Sequence, residues 1–141
     1  LFICMKDRPD PLKSSTGPYP GFPTDMQSLF MAFLSIAKGE SCITENVFED
    51  RFGTAAELVK MGADITCQGK TAVIKGVPLL AGTKVRALDL RGAAALVMAA
   101  LGAEGSTIIE DCYHIKRGYE DICRDLRALG GRADWMESDT G

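Results

Sequence analysis

The two halves of this 141-residue chain share one sequence pattern at a nearly constant offset. Lys38–Ser41 matches Glu104–Thr107 at an offset of 66 residues, and Leu58–Ala63 matches Leu126–Gly131 at an offset of 68. So small a drift predicts one supersecondary unit that is used twice, with minor changes in its loops.

The repeat also predicts the domain organisation. Residues 1–81 are expected to hold the end of a preceding strand, at Leu1–Met5, and then the first unit; residues 82–141 hold the second. The two units together form part of one globular domain. Because the chain starts within a strand pattern and without Met, we expect it to be a fragment of a longer protein.

Apolar periodicity and turn residues predict the elements of each unit. The first unit is predicted to contain a helix over Met26–Ala37, a strand at Cys42–Thr44, a helix opened by a Thr54/Glu57 capping box and closed by Gly62, and strands at Ala63–Cys67 and Thr71–Lys75. The second is predicted to contain strands at Lys84–Ala87, Thr107–Glu110 and Ala133–Met136, and helices over Arg91–Ala103 and Tyr119–Leu129. This alternation indicates an α/β (or α+β) fold.

Charge and hydropathy exclude two classes of partner. The net charge is −3, so the chain has no basic field that would indicate nucleic-acid binding. No apolar run reaches the length of a membrane span, so no membrane association is expected.

The cysteines and the single histidine argue against a disulfide framework and against a zinc site. Five cysteines without a C-x-x-C pair are typical of reduced thiols in a cytosolic protein. We interpret them as small buried apolar residues: Cys4, Cys42, Cys67, Cys112 and Cys123. His114 could act as a general base, but a structural role is the preferred interpretation, and no metal ligand set is expected.

The run from Gly21 to Gln27 places one carboxylate at a helix start, directly after a stiff Pro-rich approach. Thr24 and Gln27 fit a capping box, which predicts Thr24 as the N-cap and Asp25 as the first helical residue. The helix dipole stabilises negative charge at that position. Asp25 is therefore either an ordinary acidic first-turn residue or a rigidly held general base.

Three arginines occupy places in the repeat that could bring them to Asp25. Arg91 lies at the start of the first helix of the second unit, and Arg51 and Arg117 are predicted in loops before the second helices. If both units face one cleft, three guanidiniums converge on one carboxylate, which suits a small and multiply charged anion. The alternative is that each arginine pairs with an acid nearby in sequence: Glu49, Asp50, Asp89 or Glu120.

Several motifs in one order resemble the UDP-N-acetylglucosamine 1-carboxyvinyltransferases, a family of the EPSP synthase-like superfamily. They cover nearly the whole chain: Tyr19–Gln27, Ile43–Phe52, Met61–Ile65, Asp89–Arg91 and His114–Glu120. The resemblance implies an inside-out α/β barrel of repeated β-α-β-α-β-β units in a two-domain enzyme. This chain would supply about a third of that enzyme, from its C-terminal half.

The resemblance also implies roles for individual residues. Asp25 would accept the proton of the sugar 3′-hydroxyl, and Val47 would contact the UDP-sugar. Arg51, Arg91 and Arg117 would contact or steer phosphoenolpyruvate. The family uses no metal and no cofactor, and its lysine and cysteine that engage phosphoenolpyruvate lie in a part absent here.

The function implied is transfer of the enolpyruvyl group of phosphoenolpyruvate to UDP-N-acetylglucosamine with release of phosphate, a cytoplasmic step of peptidoglycan synthesis. The missing N-terminal part would complete the site, so we expect the chain alone to be inactive. Two alternatives are a relative of the 3-phosphoshikimate enolpyruvyl transferases and a non-catalytic module that binds a UDP-sugar or a protein. The first usually carries a Lys-Glu-Thr/Ser-Asp-Arg type motif, which neither Glu49–Arg51 nor Ile115–Arg117 matches.

Overall fold

The computed structural model describes residues 1–137, which form six strands and five α-helices. The strands are β1 (Lys13–Ser15), β2 (Glu40–Thr44), β3 (Asp64–Gln68), β4 (Thr71–Lys75), β5 (Lys84–Arg86) and β6 (Ile108–Glu110). The helices are α1 (Gln27–Leu34), α2 (Gly53–Lys60), α3 (Leu90–Gly102), α4 (Tyr113–Gly118) and α5 (Ile122–Ala128). A single 3-10 turn, Thr24–Met26, leads into α1.

Two parallel strand pairs, each with a helix between its strands, form the frame of the molecule. β1 pairs in parallel with β2, with Ser14 opposite Ile43, and α1 lies between them in the chain. β5 pairs in parallel with β6, with Val85 opposite Ile109, and α3 lies between them. Ile43 and Ile109 are also equivalent at the offset of 66 residues. The hairpin β3–β4 joins the first pair through β4, so that the larger sheet has the order β1-β2-β4-β3.

The core lies where α1, α2 and α3 pack together against the strands. Helix α3 is rich in alanine, and these small side chains let it approach α1 closely. The largest fully buried apolar side chains come from both halves of the chain: Met31, Leu34, Ile43, Leu58, Met61, Ile74, Val85 and Leu96. One core therefore fixes the two helices relative to each other.

Two glycines end the equivalent helices α2 and α5 in the same way. Gly62 has φ of 93° and Gly130 has φ of 92°, a left-handed conformation that favours glycine. The backbone N–H that follows each glycine donates to a carbonyl of the helix, from Ala63 to Leu58 at 3.1 Å and from Gly131 to Leu126 at 2.9 Å. The sequence match at this point thus has a matching hydrogen-bond pattern.

The α/β class is confirmed, and most predicted elements are present with shifts of one to a few residues at their ends. Two predicted strands are wrong: Leu1–Met5 and Ala133–Met136 are not strands. A strand needs a hydrogen-bonded neighbour. Within residues 1–137, neither segment has one.

Two further helix predictions need correction. The helix predicted over Tyr119–Leu129 is present as α5 but begins only at Ile122, and a separate short helix, α4 (Tyr113–Gly118), precedes it where none was predicted. The capping box of Thr54 and Glu57 does not form. Instead, the Glu57 carboxylate accepts a hydrogen bond from the backbone N–H of Arg86 at 2.9 Å and pairs with the Lys60 ammonium at 2.8 Å.

The cysteines are free thiols, but they are not uniformly buried. Only Cys123 is buried; Cys42 and Cys112 are half-buried, and Cys4 and Cys67 are exposed. The prediction of buried cysteines is therefore wrong for most of them, because Cys67 lies on the edge strand β3 and Cys4 on an exposed terminal segment. Burial raises the pKa of the Cys112 and Cys123 thiols, which favours their protonated form. No helix in residues 1–137 is long and apolar enough to cross a membrane.

We expect Gly62→Ala and Gly130→Ala each to lower the free energy of unfolding by about 1–2 kcal/mol, because a Cβ disfavours positive φ. Urea denaturation of the 141-residue chain measures the change. Gly102→Ala is the matched control: Gly102 ends α3 with open space around it and without positive φ. The control should be neutral or slightly stabilising. Equal losses at all three positions would contradict the role of the two left-handed helix ends.

Candidate active site

Asp25 lies in the 3-10 turn before α1, at the edge where strands β1 and β2 end. It is the middle residue of that turn, not the first residue of the α-helix as predicted. Its side chain is 55% exposed, and its carboxylate lies between two guanidiniums. Nη2 of Arg51 is 3.5 Å from Oδ1, and Nη2 of Arg91 is 3.3 Å from Oδ2.

This arrangement confirms the predicted proximity of Asp25, Arg51 and Arg91, which come from both halves of the chain. In the described part of the chain, both arginines form their ion pairs with Asp25 and not with the acids near them in sequence. The distances are long and the groups are partly exposed, so each pair contributes at most about 1 kcal/mol. A charged ligand could therefore displace either guanidinium from Asp25 at low energetic cost.

Arg51 is held more firmly than Arg91. Its Nη1 donates to Oγ1 of Thr24 at 3.3 Å, and its guanidinium lies 4.7 Å from the centre of the Phe48 ring, a cation–π contact. The Arg51 side chain is 26% exposed, against 45% for Arg91. Arg51 thus has three side-chain contacts, whereas Arg91 has its ion pair with Asp25.

A buried carboxylate that the sequence argument did not single out, Glu45, organises this edge. It follows β2 directly and is 2% exposed. The hydroxyls of Thr16 and Thr24 donate to it at 2.8 and 2.9 Å. The backbone N–H groups of Val47 and Phe48 donate to it at 2.9 and 3.2 Å. Its only signal in the sequence was its place opposite Asp111 in the repeat, which does not reveal burial.

Glu45 also explains why the predicted capping box does not form. The Thr24 hydroxyl is oriented by Glu45, to which it donates, and by Arg51, from which it accepts, and its oxygen accepts no backbone N–H of the helix. The backbone N–H of Gln27 bonds instead to the carbonyl oxygen of Thr24 within the 3-10 turn. The Gln27 side chain is fully buried, and its amide donates to the carbonyl oxygen of Arg51 at 3.5 Å.

Asp89 is equivalent to Asp25 in the repeat, at an offset of 64 residues, but it is used differently. It is the N-cap of α3, and its Oδ1 accepts a hydrogen bond from the backbone N–H of Gly92 at 2.8 Å. That carboxylate is therefore engaged with its own helix. Asp25 is not an N-cap, and its oxygens contact Arg51 and Arg91.

Arg117 and Val47 are placed less directly. Arg117 lies within α4, not in a loop as predicted, and in residues 1–137 it makes no ion pair. Its neighbour Gly118 packs so tightly on Leu90 that a Cβ there would lie 2.5 Å from Cδ1. This contact places the C-terminal end of α4 beside the start of α3, which bears Arg91. Val47 is 44% exposed and lies in the loop after β2 that Glu45 holds.

The remaining candidate groups add no second cluster. His114 lies in α4, and its ring packs edge-on against Tyr113 at 5.6 Å between centres. Across residues 1–137, no group of three or more His, Cys, Asp or Glu side chains could hold a metal ion. The chemistry that this edge offers is therefore a carboxylate able to accept a proton, with guanidiniums able to bind an anion.

Comparison with known proteins identifies the family. Residues 5–126 match the model of the family described as EPSP synthase (3-phosphoshikimate 1-carboxyvinyltransferase). The chain belongs to this family. Among its relatives, UDP-N-acetylglucosamine 1-carboxyvinyltransferase 1 of Clostridium perfringens is 57% identical over 120 residues, which are 85% of this chain and 28% of that protein. UDP-N-acetylglucosamine 1-carboxyvinyltransferase of an Anaeromyxobacter species is 54% identical over 132 residues, 94% of this chain and 31% of that protein.

Solved structures of two enzymes share the fold. The enolpyruvyl transferase NikO from Streptomyces tendae superimposes with a TM-score of 0.78 at 35% identity, over 88% of this chain and 29% of that one. EPSP synthase from Acinetobacter baumannii gives a TM-score of 0.60 at 25% identity, over 82% of this chain and 27% of that one. The chain thus spans about a third or less of the length of these relatives.

The environment of Glu45 predicts an acid-dependent contribution to stability. Burial alone would raise the pKa of this carboxyl, but hydrogen bonds from Thr16, Val47, Thr24 and Phe48 lower the pKa below its usual value of 4.5. Because the pKa is lower in the folded state, the stabilisation is fully present above about pH 4.5 and is lost as the pH falls through the folded-state pKa.

We expect Glu45→Gln to cost about 1–3 kcal/mol at pH 7, because a glutamine amide cannot accept all four hydrogen bonds. The difference from wild type should shrink below about pH 4.5, as measured by urea unfolding of the chain between pH 3 and 7. Glu49→Gln, a change in an exposed residue of the same loop, should be nearly neutral throughout. A cost for Glu45→Gln that is independent of pH would contradict this account.

Proposed function

We propose that this chain is part of a longer enzyme that transfers the enolpyruvyl group of phosphoenolpyruvate to the 3′-hydroxyl of UDP-N-acetylglucosamine and releases phosphate. Relatives that bear the name UDP-N-acetylglucosamine 1-carboxyvinyltransferase are 48–57% identical to it. The observation that carries the proposal is the position of Asp25 between Arg51 and Arg91.

Asp25 is the proposed general base. The carboxylate takes the proton of the sugar hydroxyl as the oxygen forms a bond to C2 of phosphoenolpyruvate. At the same time C3 takes up a proton from an acid in the rest of the longer enzyme, so that the C2–C3 double bond becomes a single bond. Loss of phosphate from C2, with loss of a proton from the adjacent carbon, then restores the double bond in the product. A positioned base of this kind contributes roughly 10²–10⁴-fold to the rate.

The arginines are the proposed anion site. Phosphoenolpyruvate carries a carboxylate and a phosphate, and a guanidinium pairs bidentately with either group. The long ion pairs with Asp25 support this role, because Arg51 and Arg91 can exchange that carboxylate for those of a substrate. The exchange would also leave Asp25 free to accept a proton. Arg117 is proposed to join the site as the longer enzyme closes around its substrates.

The loop after β2 is the proposed contact with the sugar nucleotide. Glu45 holds the backbone N–H groups of Val47 and Phe48, so the exposed Val47 side chain has a defined position. Within a longer protein, this loop would face the segments that complete the site. The reaction would belong to peptidoglycan synthesis, in the cytoplasm.

Replacing Asp25 tests the proposal in the full-length protein. We expect Asp25→Asn to lower kcat by at least about 10²-fold while the affinity for both substrates changes little, because the amide keeps the shape and loses the base. Phosphate release with UDP-N-acetylglucosamine and phosphoenolpyruvate measures turnover, and calorimetry measures binding.

Asp89→Asn is the matched control, since it is the same chemical change at the equivalent helix start. Asn caps a helix as well as Asp, so turnover should stay close to wild type. Unchanged turnover of Asp25→Asn would remove Asp25 from the mechanism. Turnover with 3-phosphoshikimate instead of the UDP-sugar would favour the sister reaction, and binding without turnover would favour a non-catalytic module.

The 141-residue chain alone should show no turnover. It spans about a third or less of its relatives, and the family resemblance implies that the lysine and cysteine that engage phosphoenolpyruvate lie elsewhere in the longer protein. The same phosphate-release assay with the purified chain, with the full-length protein as positive control, measures this. Product from the chain alone would show that residues 1–141 hold a complete site.

A further inference from the structure

We propose that Glu45 is the positioning residue for Arg51, which it orients through the Thr24 hydroxyl on one side and the Phe48 ring on the other. The kinetic consequence of this inference rests on the proposed function. The connection from Glu45 to Arg51 through Thr24 and Phe48 is observed in the geometry and does not depend on that function. Glu45 does not touch Asp25 or Arg51, so it acts only through other groups.

The first connection is a chain of directed hydrogen bonds. A threonine hydroxyl has one proton, and Thr24 donates it to Oε2 of Glu45 at 2.9 Å. The hydroxyl therefore presents only lone pairs to its other neighbour, Nη1 of Arg51, at 3.3 Å. An ionised Glu45 accepts and never donates, so it fixes the direction of both bonds.

The second connection runs through the backbone of the loop. Oε1 of Glu45 accepts the N–H of Phe48 at 3.2 Å and the N–H of Val47 at 2.9 Å. These bonds hold the start of residue 48, whose ring lies under the Arg51 guanidinium. The two oxygens of one buried carboxylate thus control two of the three contacts of Arg51.

In the described residues of the second half, no buried carboxylate makes equivalent connections. The equivalent residue, Asp111, has φ of 56° and pairs with Arg86 on the neighbouring strand. At the repeat offset of 66 residues, the residue equivalent to Arg51 is Arg117, which lies in α4 and forms no ion pair within residues 1–137. In the described residues, the acid at the position of Glu45 therefore pairs with a strand arginine and does not connect to Arg91 or Arg117.

The consequence for the proposed reaction is selective. Losing the orientation of Arg51 weakens an interaction with phosphoenolpyruvate and leaves the base, Asp25, in place. We expect Glu45→Gln and Thr24→Val each to raise KM for phosphoenolpyruvate about tenfold, with a smaller change in kcat, as for loss of a hydrogen bond to a charged group. Because both act on one chain of bonds, the double variant should be little worse than either single variant.

Glu57→Gln is the matched control for mere loss of stability. Glu57 is also a buried carboxylate that accepts a backbone N–H, that of Arg86, but it contacts none of the residues of this site. The control should lower the melting temperature and leave KM for phosphoenolpyruvate near wild type. A Glu57→Gln variant with the same rise in KM would overturn the specific role of Glu45.

A second measurement needs no turnover. The full-length protein is labelled with ¹⁵N-arginine and studied by NMR without substrate, which measures the rate of rotation of each guanidinium. The signal of Arg51 is assigned as the one that disappears in Arg51→Lys. Glu45→Gln and Thr24→Val should speed that rotation at least about threefold and leave Arg91 unchanged, whereas Glu57→Gln should alter neither. Faster Arg51 rotation in a protein that does not turn over would uphold the positioning link and reject the proposed function. Unchanged rotation would reject the link, whatever the activity.

Discussion

The packing of α1 against α3 is the constraint on which the rest of the molecule depends. Each helix starts after the carboxyl end of a strand, so packing them together brings two helix starts to one edge. Residues at such edges are well placed to bind ligands. Asp25 and Arg91 meet there although 66 residues separate them in sequence. Since the ion pair itself is weak, the apolar core, and not the charges, holds the site in shape.

Glu45 supplies a second kind of order, through polar groups instead of apolar packing. A buried carboxylate is costly unless it is fully hydrogen-bonded, and four donors from three segments satisfy this one. The same bonds tie the end of β1, the turn before α1 and the loop after β2. The hydrogen bonds that make the burial of Glu45 possible thus also fix the positions of the segments that donate them.

Features that depend on local periodicity or on the repeat could be predicted from the sequence. Features that depend on hydrogen bonds between residues distant in sequence could not. The α/β class, the helix ends at Gly62 and Gly130, and the meeting of Asp25 with Arg51 and Arg91 could all be predicted. The 3-10 turn could not, because Thr24 bonds to Glu45, 21 residues away, and not to its own helix. Strand formation at Ala133–Met136 depends on a neighbour, which local pattern does not reveal. The role of Val47 came from family resemblance alone, and that of Arg117 from the repeat and the resemblance together; both remain predictions.

The irregular turn at Thr24–Met26 has a consequence for anyone who redesigns this fold. At the regular start of α3, an oxygen of Asp89 accepts a hydrogen bond from a backbone N–H of its own helix. At the irregular start of α1, Asp25 is not an N-cap, so its carboxylate does not cap the helix. If this turn were redesigned as a regular helix start for stability, a backbone N–H would donate to Asp25 and the helix would be better capped. That hydrogen bond would engage the one carboxylate that, within residues 1–137, lies between two guanidiniums.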